Sequence, residues 1–257
     1  MFTFFAKYSK IVIKFEKEKE ENRMEKINYG LIAAMKEEVE EIKKIMTEIQ
    51  EKTIYELKFI TGKIKSSNIV LVECGVGKVN SARVTQILID KFKEIDIIIN
   101  VGSSASANEK LDIGDIVIGQ KLVQHDFDIT AFGHKKGYIS NVGEDVKTNS
   151  QLIEKMENVI QNLPNSNCNV KIGTIASGDI FCTDINMKNK IREKFGADAI
   201  DMESSAIAQV CYLDKKPFII IRSISDKPNG ENQITFDKFL ELASKRCATI
   251  LERFIEK

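Results

Sequence analysis

The chain carries no excess of either charge: 38 Lys and Arg offset 38 Asp and Glu across 257 residues. Without a basic field there is nothing to draw in nucleic acid or an anionic lipid surface, so a small, uncharged partner is expected. Histidine is scarce, with two residues, and the five cysteines form no CxxC pair or His/Cys cluster. A metal site therefore has little support. Cys74, Cys168, Cys182, Cys211 and Cys247 are odd in number, widely spaced and mostly set in apolar runs. They read as reduced thiols of a cytoplasmic protein.

A bilayer-spanning run is missing too. Residues 2–15, FTFFAKYSKIVIKF, are interrupted by three lysines and lead into the charge run KFEKEKEENRMEK. This stretch is too short and too charged to cross a membrane, and no small-residue cleavage site comes after it. Residues 1–23 are expected to be an extension ahead of one folded domain over 24–257. A membrane-surface or targeting role for the extension is the alternative.

Nor is there a Pro/Gly-rich linker, a repeat or a low-complexity tract to divide the rest, and the length suits one large α/β domain. From Tyr29 the sequence alternates apolar β-type runs with helical patterns. Strands are expected at 29–35, 56–64, 68–75, 95–103, 115–127, 170–178, 199–203 and 217–225. Helices are expected at 36–49, 79–93, 148–162, 186–195, 204–214 and 236–257. The pair at 56–64 and 68–75 reads as a hairpin, and Phe236, Phe239, Leu240, Ala243, Cys247, Ile250, Leu251 and Phe254 form one apolar stripe. That rhythm predicts an α/β fold, a three-layer α/β/α sandwich about a central mixed β-sheet.

In open α/β sheets the ligand crevice lies at the carboxyl ends of the strands, where side chains leave the core while rigid backbone still holds them. The residues just past each apolar run are therefore informative: Glu38, then 75–78, Ser103, 177–179, Glu203 and Asp226. Taken singly, Glu38 suits the first turn of a helix, and Asp226 suits a turn cap before KPNGENQ. Glu203 has no such ordinary use. An acid inside AIDMESSAIA is buried and must be paired or bonded to something. GVGKVNS, residues 75–81, lacks the spacing of either glycine-rich nucleotide fingerprint and reads as a tight strand-to-helix turn lining a pocket.

Together the acids suit a reaction with proton demands on both sides of one bond. Separating a purine from ribose is such a reaction: the base leaves once a ring nitrogen is protonated, and the cation-like sugar carbon must meet an activated nucleophile.

YGLIAAMKEEVEEI, GVGKVNSA, IIINVGSS, LDIGDIVI, HDFDITAFG, SGDIF, AIDMESSAIAQV and FIIIRSISD, in that order and spacing, resemble the 5′-methylthioadenosine/S-adenosylhomocysteine nucleosidases of the nucleoside phosphorylase superfamily. The likeness runs from about Tyr29 to the C-terminus and implies a nucleoside phosphorylase-like fold. It implies hydrolysis of an N-glycosidic bond in an adenine nucleoside, without cofactor or metal, by a homodimer. It also implies roles. Asp226 would protonate purine N7, Glu38 would be the base on the attacking water, and Glu203, beside the Met202 backbone, would bind the ribose hydroxyls. Ser103 and Arg222 would help hold the water, Phe181 would stack on adenine, and the backbone at Cys182 would read its edge. Ser225 joins the substrate-binding set. Met35, Val76 and Phe236 would enclose the 5′ substituent, with Phe132 supplied to that pocket by the partner subunit.

The chain departs from the family in places. It has GSSAS at 102–106 where GSAGG is common, Asp201 where Glu is more frequent, and His134 where a tyrosine is frequent. Phosphorylases need arginines for phosphate, yet Asn100 stands where they place one, and a carboxylate at Glu38 would repel that anion. Water is the expected nucleophile. The rival readings are a purine or uridine nucleoside phosphorylase, an aminofutalosine hydrolase, and a nucleoside-binding module that has lost turnover.

Overall fold

The computed structural model describes residues 27–163, 168–226 and 232–256, the side chains of 232–238 excepted. The expected extension at 1–23 and the expected domain start at 24 lie outside the described residues.

Ten strands form one mixed sheet: β1 (Tyr29–Ala33), β2 (Thr47–Ile54), β3 (Leu57–Ile64), β4 (Ser67–Glu73), β5 (Ile97–Ser106), β6 (Ile116–Gln124), β7 (Val146–Lys147), β8 (Val170–Ser177), β9 (Ala197–Asp201) and β10 (Phe218–Asp226). The helices are α1 (Lys36–Lys43), α2 (Lys78–Lys91), α3 (Ser150–Gln161), α4 (Ile185–Phe195), α5 (Ser204–Leu213) and α6 (Asn232–Glu256). Successive strand residues point to opposite faces. In accord with that, Leu31, Ile99 and Ile221 belong to one buried cluster with α1, α3 and α6, whereas Ile32, Ile98 and Ile220 belong to a second with α2 and α5. Strands buried on both faces read as continuous apolar runs. Every residue of β1 and β10 is buried. The result is the expected three layers.

The sheet has a feature that apolar patterning does not announce. Its order is β10-β6-β8-β9-β5-β1-β4-β3-β2, and β5 also pairs with β10. The strands from β10 to β5 therefore close into a ring, and β1, β4, β3 and β2 extend from it as an open wing. On β10 the register against β5 shifts between Ile224 and Asp226. A bulge of this kind inserts one residue and re-aims the side chains around it. Ser225 and Asp226, neighbours that a regular strand would turn to opposite faces, both line one cavity.

One expected helix is cut short. The pattern at 36–49 predicts a continuous helix with Ile45 on its apolar face, yet α1 ends at Lys43 and β2 begins at Thr47. In β2, TEIQEKTI, nearly every residue is exposed, so no apolar alternation marks it as a strand. The chain turns there because β2 pairs antiparallel with β3 and caps the sheet edge with charged side chains.

Candidate active site

A cleft enclosing about 640 Å³, part of it open solvent, lies at the carboxyl ends of β1, β5, β9 and β10. Met35, Glu38, Val76, Ser103, Phe181, Cys182, Met202, Glu203, Arg222, Ser225 and Asp226 all line it, from positions nearly two hundred residues apart. Two expected site residues are not among them. Phe132 is 81 % exposed and lies elsewhere on this chain, and the side chain of Phe236 lies outside those described. His134 stacks on Tyr138 with ring centroids 4.3 Å apart and also stands outside the lining.

Glu38 is the third residue of α1, close enough to the helix start for its carboxylate to fold back on the entry turn. Oε2 accepts hydrogen bonds from the backbone N–H groups of Ala34 at 2.9 Å and Met35 at 3.2 Å, and Oε1 accepts from Ser103 N–H at 3.1 Å. These bonds hold both oxygens in one orientation. Burial raises the proton affinity of this carboxyl, with the Arg222 guanidinium opposing. A carboxylate so placed is a stronger base than one in water.

Arg222 is the electrostatic centre. Almost wholly buried, it donates through Nε to Asp201 Oδ2 at 2.6 Å and through Nη2 to Asn100 Oδ1 at 2.7 Å, with Glu203 Oε2 3.9 Å away. Asn100 in turn donates to the Ile32 carbonyl at 2.9 Å. Asp201 also accepts from Ser177 Oγ, Ser204 Oγ and the N–H groups of Glu203 and Ser204. With so many fixed bonds Asp201 is occupied in holding Arg222 and the start of α5, although it touches the cleft.

Glu203 sits at the N-cap of α5 without capping it. Its Oε1 accepts from Gly77 N–H at 3.0 Å, so the GVGKVNS turn delivers a backbone donor to the carboxylate. Gly77 has φ 101°, in the region that favours glycine. Burial, then the neighbouring Asp201 charge, pushes the Glu203 pKa up to about 7. That shift fixes the sign of a stability effect. Between the ordinary glutamate value of 4.5 and about 7 the folded protein binds more protons at this site than the unfolded chain, so stability falls as pH rises through that window. Glu203→Gln should flatten the fall, giving a melting temperature that changes less across this range than the wild type's. Parallel curves for the two proteins would refute the assignment.

Gly102 is required by crowding. A Cβ there would lie 2.5 Å from Arg222 Nη1 and 2.8 Å from Glu38 Oε1. Both atoms belong to side chains already pinned by hydrogen bonds, so neither yields cheaply. Gly102→Ala should destabilise the fold by about 1–3 kcal/mol, read from thermal or urea unfolding. A wild-type melting temperature would show that the pair is more loosely held than its hydrogen bonds imply.

Of the GSSAS departure, Ser106 is absorbed locally: its hydroxyl donates to the Asn108 carbonyl at 2.7 Å and accepts from Asn108 N–H at 3.1 Å. Ser104 and Ala105 line the cleft, and Ser104 Oγ is buried with no hydrogen-bond partner among the described residues.

Asp226, at the end of β10, accepts from Ser225 Oγ at 3.1 Å and from Lys188 Nζ at 2.8 Å. Sequence patterning alone does not single out Lys188. It lies in KNKIREK, which looks like a solvated face, yet it falls three residues before buried Ile191 on the inner side of α4. A lysine on an apolar stripe is the signal that marks it.

The model of the phosphorylase superfamily matches residues 28–256. The chain belongs to the phosphorylase superfamily. A 5′-methylthioadenosine/S-adenosylhomocysteine nucleosidase of Staphylococcus aureus (strain bovine RF122 / ET3-1) is 39 % identical over 229 residues, covering 89 % of this chain and 99 % of that superfamily member. Among solved structures, the S. pneumoniae 5′-methylthioadenosine/S-adenosylhomocysteine nucleosidase with a transition-state inhibitor, MT-ImmA, superposes with TM-score 0.84 at 35 % identity, covering 90 % of this chain and 99 % of that one. The futalosine hydrolase of Helicobacter pylori superposes with TM-score 0.84 at 29 % identity, covering 90 % and 97 %. Among the described residues of this superfamily member no helix is long and apolar enough to cross a membrane, and no group of three His, Cys, Asp or Glu side chains could hold a metal ion. Its cysteines are free thiols, four of them buried.

Proposed function

We propose that this protein hydrolyses the N-glycosidic bond of 5′-methylthioadenosine and S-adenosylhomocysteine, and of 5′-deoxyadenosine, releasing adenine and the 5′-substituted ribose. The observation that carries the reading is the meeting of Glu38, Glu203 and Asp226 in one cleft with a single arginine already engaged by Asp201 and Asn100. Asp226 delivers a proton to purine N7, which turns the base into a neutral leaving group. Glu38 takes the proton of a water held near the Ser103 backbone and Arg222, and the water closes on the sugar carbon. Glu203 grips the ribose hydroxyls. Phe181 and the Cys182 backbone flank adenine, Met202 and Ser225 line the nucleoside, and Met35 and Val76 border the tail.

Against phosphorolysis, Arg222 meets three carboxylates within the cleft, Glu38 among them, a field that repels an anionic nucleophile. Incubation with each thioether nucleoside, with and without phosphate, tests the reading. Adenine and free sugar should appear at a rate independent of phosphate; a sugar 1-phosphate, or bound nucleoside with no adenine, would contradict it. Futalosine-type substrates are the second reading, favoured by the superposition on the Helicobacter hydrolase.

The nucleosidase domain is taken as 24–257, in keeping with the superfamily match over 28–256. A cytoplasmic homodimer serving methionine salvage fits this activity. Phe132, 81 % exposed, and the neighbouring apolar Ile129 are then available to close a partner's cleft.

A further inference from the structure

A buried cation stands behind the acid that releases the base. Lys188 on α4 is 0 % exposed, and its Nζ lies 2.8 Å from Asp226 Oδ2. Asp226 lines the cleft and Lys188 does not, so the ammonium meets the carboxyl from the protein side and stays in place when a ligand fills the cleft. Ser225 Oγ holds the other oxygen at 3.1 Å. Among the described residues each carboxyl oxygen has one side-chain donor within reach, the Ser225 hydroxyl lying also 3.2 Å from the Ser104 carbonyl, and each keeps lone-pair capacity toward the cleft.

Stability does not account for the lysine. A buried ion pair gains little over apolar side chains of similar volume, because desolvating both charges offsets their attraction. The reaction does give it a use. The 2.8 Å contact sets a proton on the line between Nζ and Oδ2. An acid that protonates purine N7 draws its proton from a neighbour or from solvent, and among the described residues Lys188 is the cationic neighbour at contact distance.

We propose that Lys188 is a positioning residue for base release, orienting the Asp226 carboxyl and storing the proton that Asp226 passes to N7. The inference rests on the nucleosidase reading above. The proton moves from Lys188 Nζ to Asp226 Oδ2 and from that carboxyl to N7. The C1′–N9 bond then breaks, with its electron pair going to the base. Water bonds to C1′ and gives its proton to Glu38. Lys188 ends neutral and Glu38 protonated, and proton exchange through solvent as products leave restores both.

Other titrating and charged groups stand near the pair. Cys182 and Asp184 lie on the segment leading into α4, and burial raises the Cys182 thiol to about 11. Arg222 on β10, Asp201 on β9, and Glu203 and Glu38 line the same cleft. A comparison of two leaving groups removes their influence, since they act on both.

The test compares 5′-methylthioadenosine with p-nitrophenyl 5-methylthioriboside, whose phenolate departs without a proton. Lys188→Met, similar in volume, should slow adenine release by on the order of 100-fold while leaving p-nitrophenolate release at the wild-type rate. Lys188→Arg keeps the charge and a hydrogen bond but retains its proton, so it should also be slow on the adenine substrate. Equal losses on both substrates would mark the lysine as structural and overturn the proposal. Wild-type adenine release by either folded variant would overturn it as well. If far-UV circular dichroism shows that arginine does not fit, Lys188→Met decides alone. A wild-type protein that releases no adenine overturns the nucleosidase reading itself, an outcome distinct from the others.

Discussion

Asp226→Asn should lose adenine release by on the order of 100- to 10,000-fold, because the amide has no proton to give to N7. Asparagine is nearly isosteric with aspartate: its oxygen can accept from Lys188 while its NH2 donates to Ser225 Oγ, whose own proton can turn to the Ser104 carbonyl, so the cleft should keep its shape. Its folding will not be neutral, however. The carboxylate is the counter-charge 2.8 Å from a wholly buried ammonium, and losing one partner of such a pair costs about 3–5 kcal/mol. Rates must therefore be compared well below the variant's melting temperature. Pairing Asp226→Asn with Lys188→Met should recover much of that stability and none of the activity. If the single variant turns over adenine nucleosides like the wild type, the acid has been misassigned.

Glu38→Gln should be comparably damaging, for a different reason. The water would have no acceptor for its proton, worth again on the order of 100- to 10,000-fold. Geometry adds a second loss. Three backbone N–H groups, those of Ala34, Met35 and Ser103, point at the two oxygens of Glu38. Glutamine has one acceptor oxygen, so its NH2 group must face at least one of those donors, leaving a buried N–H unpaired at about 1–3 kcal/mol. Free adenine measured against time, with unfolding followed in parallel, separates the two effects. Undiminished turnover would show that another group activates the water.

Much of this cleft is legible in the sequence, because strand ends are where an α/β sheet presents chemistry and each apolar run here stops on a polar residue. Glu203 stands out for that reason: nothing ordinary requires a carboxylate within AIDMESSAIA. Lys188 does not, because in KNKIREK the charges outnumber the apolar residues, and only the phase relative to Ile191 shows which lysine turns inward. β2 escapes because it is the edge strand, paired with β3 and exposed along nearly its whole length, so its pattern carries no apolar alternation. Closure between β5 and β10 escapes for a deeper reason. Both strands are buried along most of their length, and pairing between distant strands leaves no mark on either one's periodicity.

That closure has a consequence for how such a catalyst can diversify. A strand inside a cylinder has no edge along which to slip, so Ser103 and Asp226 are spaced by hydrogen-bond register and not by loop length. The segment carrying Phe132 and His134 hangs outside this constraint. Substitutions there leave that register, and with it the spacing of Ser103 and Asp226, untouched.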